Sequence, residues 1–268
     1  MAKKGQGETI FHFGPAGIGG VKEAVNNLEV FKQHSLDACE VAFTYGVYIH
    51  NKEDAVRIGR AVKKLGMHLS IHAPYYINLA SKDKKKIQES KERILDCCEI
   101  GHYLNAKYIV FHAAYYGDYS AEQCYNIVKN AILDMKKVIK KNKWQVTLAP
   151  ETTGKKTQFG TLDELIKLAH DTGCFFCVDF AHLLAREGKI DYDAIFTKLK
   201  TLPYIHAHFS GIEYTDKGEK RHVITDAGKL AELLKFIRKY KIKEITIINE
   251  SPDPFSDSIK ALKIAEKL

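Results

Sequence analysis

His72, His112, Glu151, Asp179, His182, His208, His222 and Glu250 are the residues whose types and positions could do chemistry together. Imidazoles and carboxylates ligate divalent cations, and mixed sets of them without paired cysteines suit Zn2+, with Mn2+ or Fe2+ as alternatives. Singly, each has an ordinary reading: a strand-end histidine can be a hydrogen-bonded rim residue, and a strand-end acid can cap the next helix. Crowded together without cations, such groups would each cost on the order of several kcal/mol in lost solvation and repulsion. Eight ligands exceed what one four- or five-coordinate ion needs, so two or three ions sharing at least one carboxylate are expected. Glu151, Asp179 and Glu250 are then the candidates for a direct catalytic role.

The elements that must position these residues follow from hydrophobic periodicity. Short apolar runs at 9–13, 38–42, 67–72, 108–112, 145–151, 175–179, 204–210 and 244–250 read as strands. Between them lie amphipathic stripes such as Ala55, Ile58, Val62 and Leu65, and Leu230, Leu233, Leu234 and Ile237. Gly66 and Gly173 read as helix stops and Thr161 as an N-cap. Eight strand–helix units with no linker predict an α/β fold, a single (β/α)8 TIM barrel over residues 1–268. A doubly wound sheet is the competing layout, but Gly14-Pro-Ala-Gly-Ile-Gly-Gly lacks the dinucleotide-binding spacing. His72, His112, Glu151, Asp179 and Glu250 end strands three, four, five, six and eight. His208 lies near the end of strand seven, and His182 and His222 fall in the loops after strands six and seven. Parallel strands bring all eight to one rim, where barrel enzymes keep their sites. By strand parity His68 and His206 face the interior one layer deeper. His12, at the end of strand one, joins them as an expected supporting residue.

Bulk properties narrow the partners. A formal charge of +8 suits a polyanion, and 45% hydrophobic residues supply a core and argue against disorder. No apolar run approaches the roughly 20 residues that cross a bilayer, and the first residues lack the apolar stretch of a secretory signal. A cytoplasmic location is the expectation. The six cysteines then read as buried free thiols. Cys174-Phe-Phe-Cys177 has C-x-x-C spacing, but on a strand residues three apart face opposite sides and cannot grip one ion.

His72-Ala-Pro-Tyr-Tyr-Ile-Asn-Leu79, Phe111-His112, Glu151-Thr-Thr-Gly154, Val178-Asp-Phe-Ala-His182 and Asn249-Glu-Ser-Pro252 resemble, in order and over nearly the whole chain, the motifs of the endonuclease IV family of apurinic/apyrimidinic endonucleases. The resemblance implies three zinc ions. His72, His112 and Glu151 would hold the first; Glu151, Asp179, His208 and Glu250 the second; His182 and His222 the third. It implies hydrolysis of the phosphodiester 5′ to an abasic site in damaged double-stranded DNA, with no obligate protein partner. Tyr75 would stack in the gap left by a missing base, and Lys155, Lys156, Lys220 and Arg221 on rim loops would meet the backbone.

Three differences fall on the substrate side. The family's Asp-x-His reads Glu219-Lys220-Arg221-His222 here, so Lys220 stands where the aspartate is expected. Either Glu219 reaches in from a shifted loop, or the third ion is weak or absent and Lys220 offsets phosphate charge in its place. The loop after strand two, Phe43 to Asn51, is aromatic and has no arginine. The segment after His208 reads Phe-Ser-Gly-Ile-Glu-Tyr. Two rival readings remain. A xylose-isomerase-like sugar isomerase or epimerase needs only Glu151, Asp179, His208 and Glu250 around one ion. A nucleic-acid-binding barrel with a degenerate site is the other.

Overall fold

The computed structural model describes residues 8–268. The first half of the chain forms β1 (Ile10–Pro15), α1 (Ala24–Gln33), β2 (Ala38–Ala42), α2 (Lys52–Leu65), β3 (His68–His72), α3 (Lys84–Leu104), β4 (Tyr108–Phe111), β5 (Ala114–Tyr115) and α4 (Ala121–Asn142). The second half forms β6 (Thr147–Pro150), β7 (Gln158–Phe159), α5 (Leu162–Thr172), β8 (Cys177–Asp179), α6 (Phe180–Glu187), α7 (Tyr192–Leu199) and β9 (Ile205–Phe209). It ends with β10 (Gly211–Thr215), β11 (Gly218–Val223), α8 (Ala227–Lys239), β12 (Glu244–Asn249) and α9 (Pro254–Lys267).

Two parallel four-stranded arcs, β1-β12-β9-β8 and β2-β3-β4-β6, make the wall. Single parallel bridges close them into a ring, Ala16 to Glu40 on one side and Glu151 to Cys177 on the other. Backbone hydrogen bonds reinforce both seams, Gly17 N to Glu40 O at 2.7 Å and Thr152 N to Cys177 O at 3.1 Å. The result is the predicted (β/α)8 barrel. The predicted strand ends are trimmed at these seams, where Glu151 pairs as one residue only.

Local chemistry places the helices. Ser120 and Thr161 start α4 and α5 with reciprocal capping boxes to Gln123 and Glu164, so orphan backbone donors are satisfied. Gly66 and Gly173 end α2 and α5 in the left-handed conformation. Alternation then sorts the strand residues. Ile109, Phe111, Leu148, Val178, Ile205 and Ala207 face the helices in the main core. Tyr108, Val110, Ala149, Cys177 and Tyr204 form a separate small cluster inside the barrel. Above that floor the interior is polar, with Glu40, Ser70, Glu151, Asp179, His206 and His208 all buried. All six cysteines are free and buried, as expected of structural thiols.

Sequence periodicity misses the short β5–β7 pair and the β10–β11 hairpin, both on the rim. Gly-Glu-Lys-Arg-His-Val in β11 is polar on both faces and carries no alternating apolar signal.

Gly14 tests the wall's geometry. A Cβ there would lie 1.7 Å from the Ala38 carbonyl oxygen of β2, a backbone atom held in the sheet. Gly14→Ala should therefore lower stability by about 1–3 kcal/mol in urea unfolding, as overpacking does. An unchanged unfolding midpoint would contradict the close approach of β1 and β2.

Candidate metal centre

The residues expected on one rim do meet at the C-terminal mouth, and Glu151 is at their centre. Its two oxygens face different partners. Oε2 lies 3.0 Å from His72 Nε2 and 3.1 Å from His112 Nε2. Oε1 lies 3.1 Å from His208 Nδ1 and 3.3 Å from His182 Nδ1. Glu250 Oε2 joins on the far side, 3.4 Å from His208 Nδ1. Burial pushes the Glu151 carboxyl up, but His208, His112 and His182 outweigh it and hold it well below the usual carboxylate range. Burial, together with neighbouring Glu151 and Glu250, drives Asp179 the other way, above its ordinary value.

Asp179 carries out both roles open to a strand-end acid. Its Oδ1 accepts from His182 N at 2.7 Å and caps α6, while Oδ2 is buried with no hydrogen-bond partner. Thr152 locks the neighbouring loop to it, its Oγ1 accepting from Asp179 N at 2.8 Å. The same cap puts His182 in the first turn of α6, aimed back into the mouth.

At this mouth ligand-type atoms group into three overlapping sets. One is His72, His112 and Glu151; the second is Glu151, Asp179, His208 and Glu250; the third is Asp179, His182 and His222. Cys177 and His206 gather with His208 beneath them, and His12, His68 and Glu244 form a separate group at the opposite mouth. Asp179 Oδ2, His112 Nε2 and His182 Nε2 are buried without aligned hydrogen-bond partners, a costly state for polar atoms unless a cation takes them. The donors present therefore fit divalent cations.

The β10–β11 hairpin resolves the Lys220 question. Its register shifts between Glu213 and Tyr214, so that Tyr214 pairs with Glu219 and Glu213 with Arg221, leaving Lys220 as the extra residue of a bulge. Without the bulge, Glu219 and His222, three apart, would face opposite ways. With it, both turn to the mouth, Glu219 Oε2 at 3.4 Å from His182 Nε2 and Oε1 at 3.8 Å from His222 Nε2. Ser210 Oγ, 2.6 Å from His222 Nδ1, fixes that ring. The hairpin can approach because Gly154 and Gly218 have no side chains: a Cβ on Gly154 would lie 2.6 Å from Glu219 Cβ, and one on Gly218 2.2 Å from the Gly154 oxygen. Lys220 is not in the site. It and Arg221 reach Glu213 on the exposed side, at 3.2 and 2.5 Å.

The other expected substrate contacts are distributed as follows. Tyr75 is exposed at the lip, its ring centroid 6.2 Å from that of His72. Lys156 is exposed on the rim loop after β6 and Lys155 half-buried there. Buried Arg186 ties that loop down through the carbonyls of Lys155 and Gln158.

Two expectations about supporting residues are corrected. His12 does not end its strand, because β1 continues to Pro15; it sits at the opposite mouth, 2.7 Å from Asp37 and 3.3 Å from Glu244. His68 stacks on it at 3.9 Å and is equally remote from the centre. His206 does lie beneath the site, 3.6 Å from Glu40 Oε2. Glu40 and Glu219 are the functional-type residues that sequence reasoning passed over or left open. Parity on strand two, where Glu40 interrupts Ala-Cys-x-Val-Ala, was the available signal for the first.

Residues 28–267 match the family described as xylose isomerase-like TIM barrel. The uncharacterized protein MJ0133 of Methanocaldococcus jannaschii is 32% identical over 279 residues, covering 97% of this chain and 99% of that one. The probable endonuclease 4 of Mycoplasma genitalium is 30% identical over 200 residues, 69% of this chain and 67% of that protein. Among solved structures, endonuclease IV from Thermus thermophilus superposes with a TM-score of 0.68 at 17% identity, over 96% of this chain and 98% of that one. A D-tagatose 3-epimerase-like protein does so with 0.70 at 17% identity, over 97% and 96%. At such identities these two structures speak for the fold alone. With the family match and the Mycoplasma relative beside the motifs, the chain belongs to the xylose isomerase-like TIM barrel family, as a divergent member of its endonuclease IV branch.

Proposed function

We propose that this protein is a metal-dependent phosphodiesterase of damaged DNA that cuts 5′ to abasic sites. The observation that carries the reading is the overlap of three ligand sets at one mouth, with Glu151 common to the first and second and Asp179 to the second and third. Divalent ions held there, zinc by donor type with manganese or iron as alternatives, supply positive charge that polarises a phosphodiester and acidifies water. The chain's own groups do the rest. Glu151 spans two sets through its separate oxygens, fixing their spacing. Asp179 uses its cap to hold one oxygen still and offers the other. Glu250 and His208 complete the second set, while Glu219 joins His182 and His222 in the third, the part the expected aspartate would play. Tyr75 at the lip offers a stacking face to an exposed sugar or base. Lys155 and Lys156 supply charge for the backbone on one side, and Lys220 and Arg221 on the hairpin supply it once released from Glu213.

The rival sugar isomerase reading uses only Glu151, Asp179, His208 and Glu250. It leaves His72, His112, His182, His222 and Glu219 without work, although all five converge on the same centre. A duplex with a single abasic site should be nicked on its 5′ side and a matched undamaged duplex spared, with chelator abolishing the cut and zinc restoring it. Glu151→Ala should reduce cleavage to background while the protein still folds, since this residue serves two ligand sets. No nick, together with one ion per chain by elemental analysis, would overturn the proposal in favour of sugar chemistry.

The pH dependence has a definite sign. Burial pushes the His72 imidazole down, but Glu151 beside it wins and raises it from 6.5 to about 9. Its stabilising contribution is complete below pH 6.5 and lost as pH climbs through about 9. Glu219, drawn from 4.5 to about 2 against the push of burial by His182 and His112, contributes above pH 4.5 and is lost towards pH 2. Protein stripped of metal should thus melt at a lower temperature at pH 9 than at pH 6.5. Zinc requires unprotonated imidazoles, so adding it in weak buffer at pH 7 should release protons and acidify the solution. A titration that leaves pH unmoved would contradict ligation by His72.

A further inference from the structure

We infer that Glu40, on strand β2 and outside every ligand set above, is a positioning residue for the metal centre that holds His208 through its far nitrogen. The inference rests on the metal-dependent reading. His208 has two faces. Nδ1 looks up at Glu151 and Glu250, at 3.1 and 3.4 Å. Nε2 looks down at Glu40, 3.3 Å from each of its oxygens. A ring that offers Nδ1 as a ligand must carry its proton on Nε2, and a carboxylate beneath selects that form and strengthens the ring as a donor.

Three other rim imidazoles are oriented by neutral oxygens. His72 Nδ1 lies 2.8 Å from the Ala73 carbonyl, His182 Nδ1 3.0 Å from that of Thr152, and His222 Nδ1 2.6 Å from the Ser210 hydroxyl. Among the described residues, His208 is the rim histidine backed from beneath by a fully buried carboxylate outside the ligand sets, whereas Glu219 meets His182 and His222 from the mouth side. Glu40 itself is fully buried, with Ser70 Oγ donating to Oε2 at 2.7 Å and His206 Nε2 3.6 Å away. Its Oε1 has no aligned hydrogen-bond partner. A carboxylate sealed in the barrel and incompletely satisfied is a poor way to fill space, since an apolar side chain of similar size would pack without that penalty. Ser70 pins one oxygen, so the carboxylate cannot swing from His208. Glu40 thus fixes the angle at which His208 meets the second ligand set, from a strand that contributes no residue to the rim motifs.

Glu40→Leu and Glu40→Gln separate this role from plain packing. Zinc affinity is read by competition with a chromogenic chelator, and the folded state by thermal melting in excess EDTA. The leucine variant leaves His208 Nε2 and Ser70 Oγ without their partner, so its metal-free midpoint should fall, but the zinc that His208 helps to hold should lose more affinity than that fall accounts for, roughly 10–100-fold. The glutamine variant, whose amide oxygen can still accept from Nε2, should lose less. Unchanged affinity in both variants would overturn the inference. So would a fall in metal-free stability that accounts for all of the lost affinity, because that marks a structural residue. Wild-type protein that takes up no zinc would remove the metal reading itself, a result distinct from wild type and variants loading alike.

Discussion

The structure is organised around a carboxylate that would be intolerable alone. Glu151 is buried, and its neighbours include two more acids, Asp179 and Glu250, which raise the cost of keeping all three ionised. Five imidazoles relieve that cost in part. Yet Asp179 Oδ2 and two imidazole nitrogens remain without aligned partners, so the protein by itself leaves the centre incompletely satisfied. Buried unpaired polar atoms are rare in folded proteins, and three of them distributed over the adjoining ligand sets of one mouth ask for cations. The parallel barrel makes this gathering feasible. Strands of one direction deliver their last residues to one mouth, and the helices outside bury enough apolar surface to offset what the polar interior gives up.

Secondary devices then adapt this mouth. The bulge at Lys220 turns Glu219 inward, and it does so by adding a residue rather than by changing the hairpin's path. A second condition had to hold for the turn to matter. Gly218 must lie against the Gly154 backbone, where the Glu219 amide donates to the Gly154 carbonyl at 2.9 Å. A glycine in the Glu151-Thr-Thr-Gly154 motif is thereby explained by what packs on it: the hairpin that brings in a fourth carboxylate. Arg186, buried beneath, holds the same loop by three oxygens, so the seat does not drift.

Much of this was legible in the sequence because it is written with period two or at strand ends. The barrel, the strand-end acids and histidines, the caps at Thr161, Gly66 and Gly173, and the free thiols all follow from local rules. What was not legible depends on register. Whether Glu219 or Lys220 faces inward is decided by one unpaired residue in an antiparallel hairpin that has no apolar alternation to pin it. The place of His12 depends on where β1 ends, and the run to Pro15 continues three residues beyond it. Glu40 was overlooked for a different reason. It stands mid-strand, whereas strand-end position was the criterion, and its meaning appears only when strand two is set opposite strand seven across the barrel.

The two mouths of the barrel show why residue type alone does not define a centre. His12, His68, Asp37 and Glu244 at the lower mouth have the same chemistry as the upper cluster. There, however, both nitrogens of His12 already lie against carboxylates, at 2.7 and 3.3 Å, and no atom of the four is left buried without a partner. His12, His68 and Glu244 also lie close enough to surround an ion, but no buried unpartnered atom there demands one. At the upper mouth the acids are pressed towards each other, and four of the five imidazoles, His72, His182, His222 and His208, are held by Ala73, Thr152, Ser210 and Glu40. Orientation from behind is what converts a collection of donors into a preorganised site, since a ring already fixed loses less freedom when a ligand arrives. In this fold that support comes from backbone carbonyls at His72 and His182, from a hydroxyl at His222, and at His208 from the buried carboxylate of Glu40.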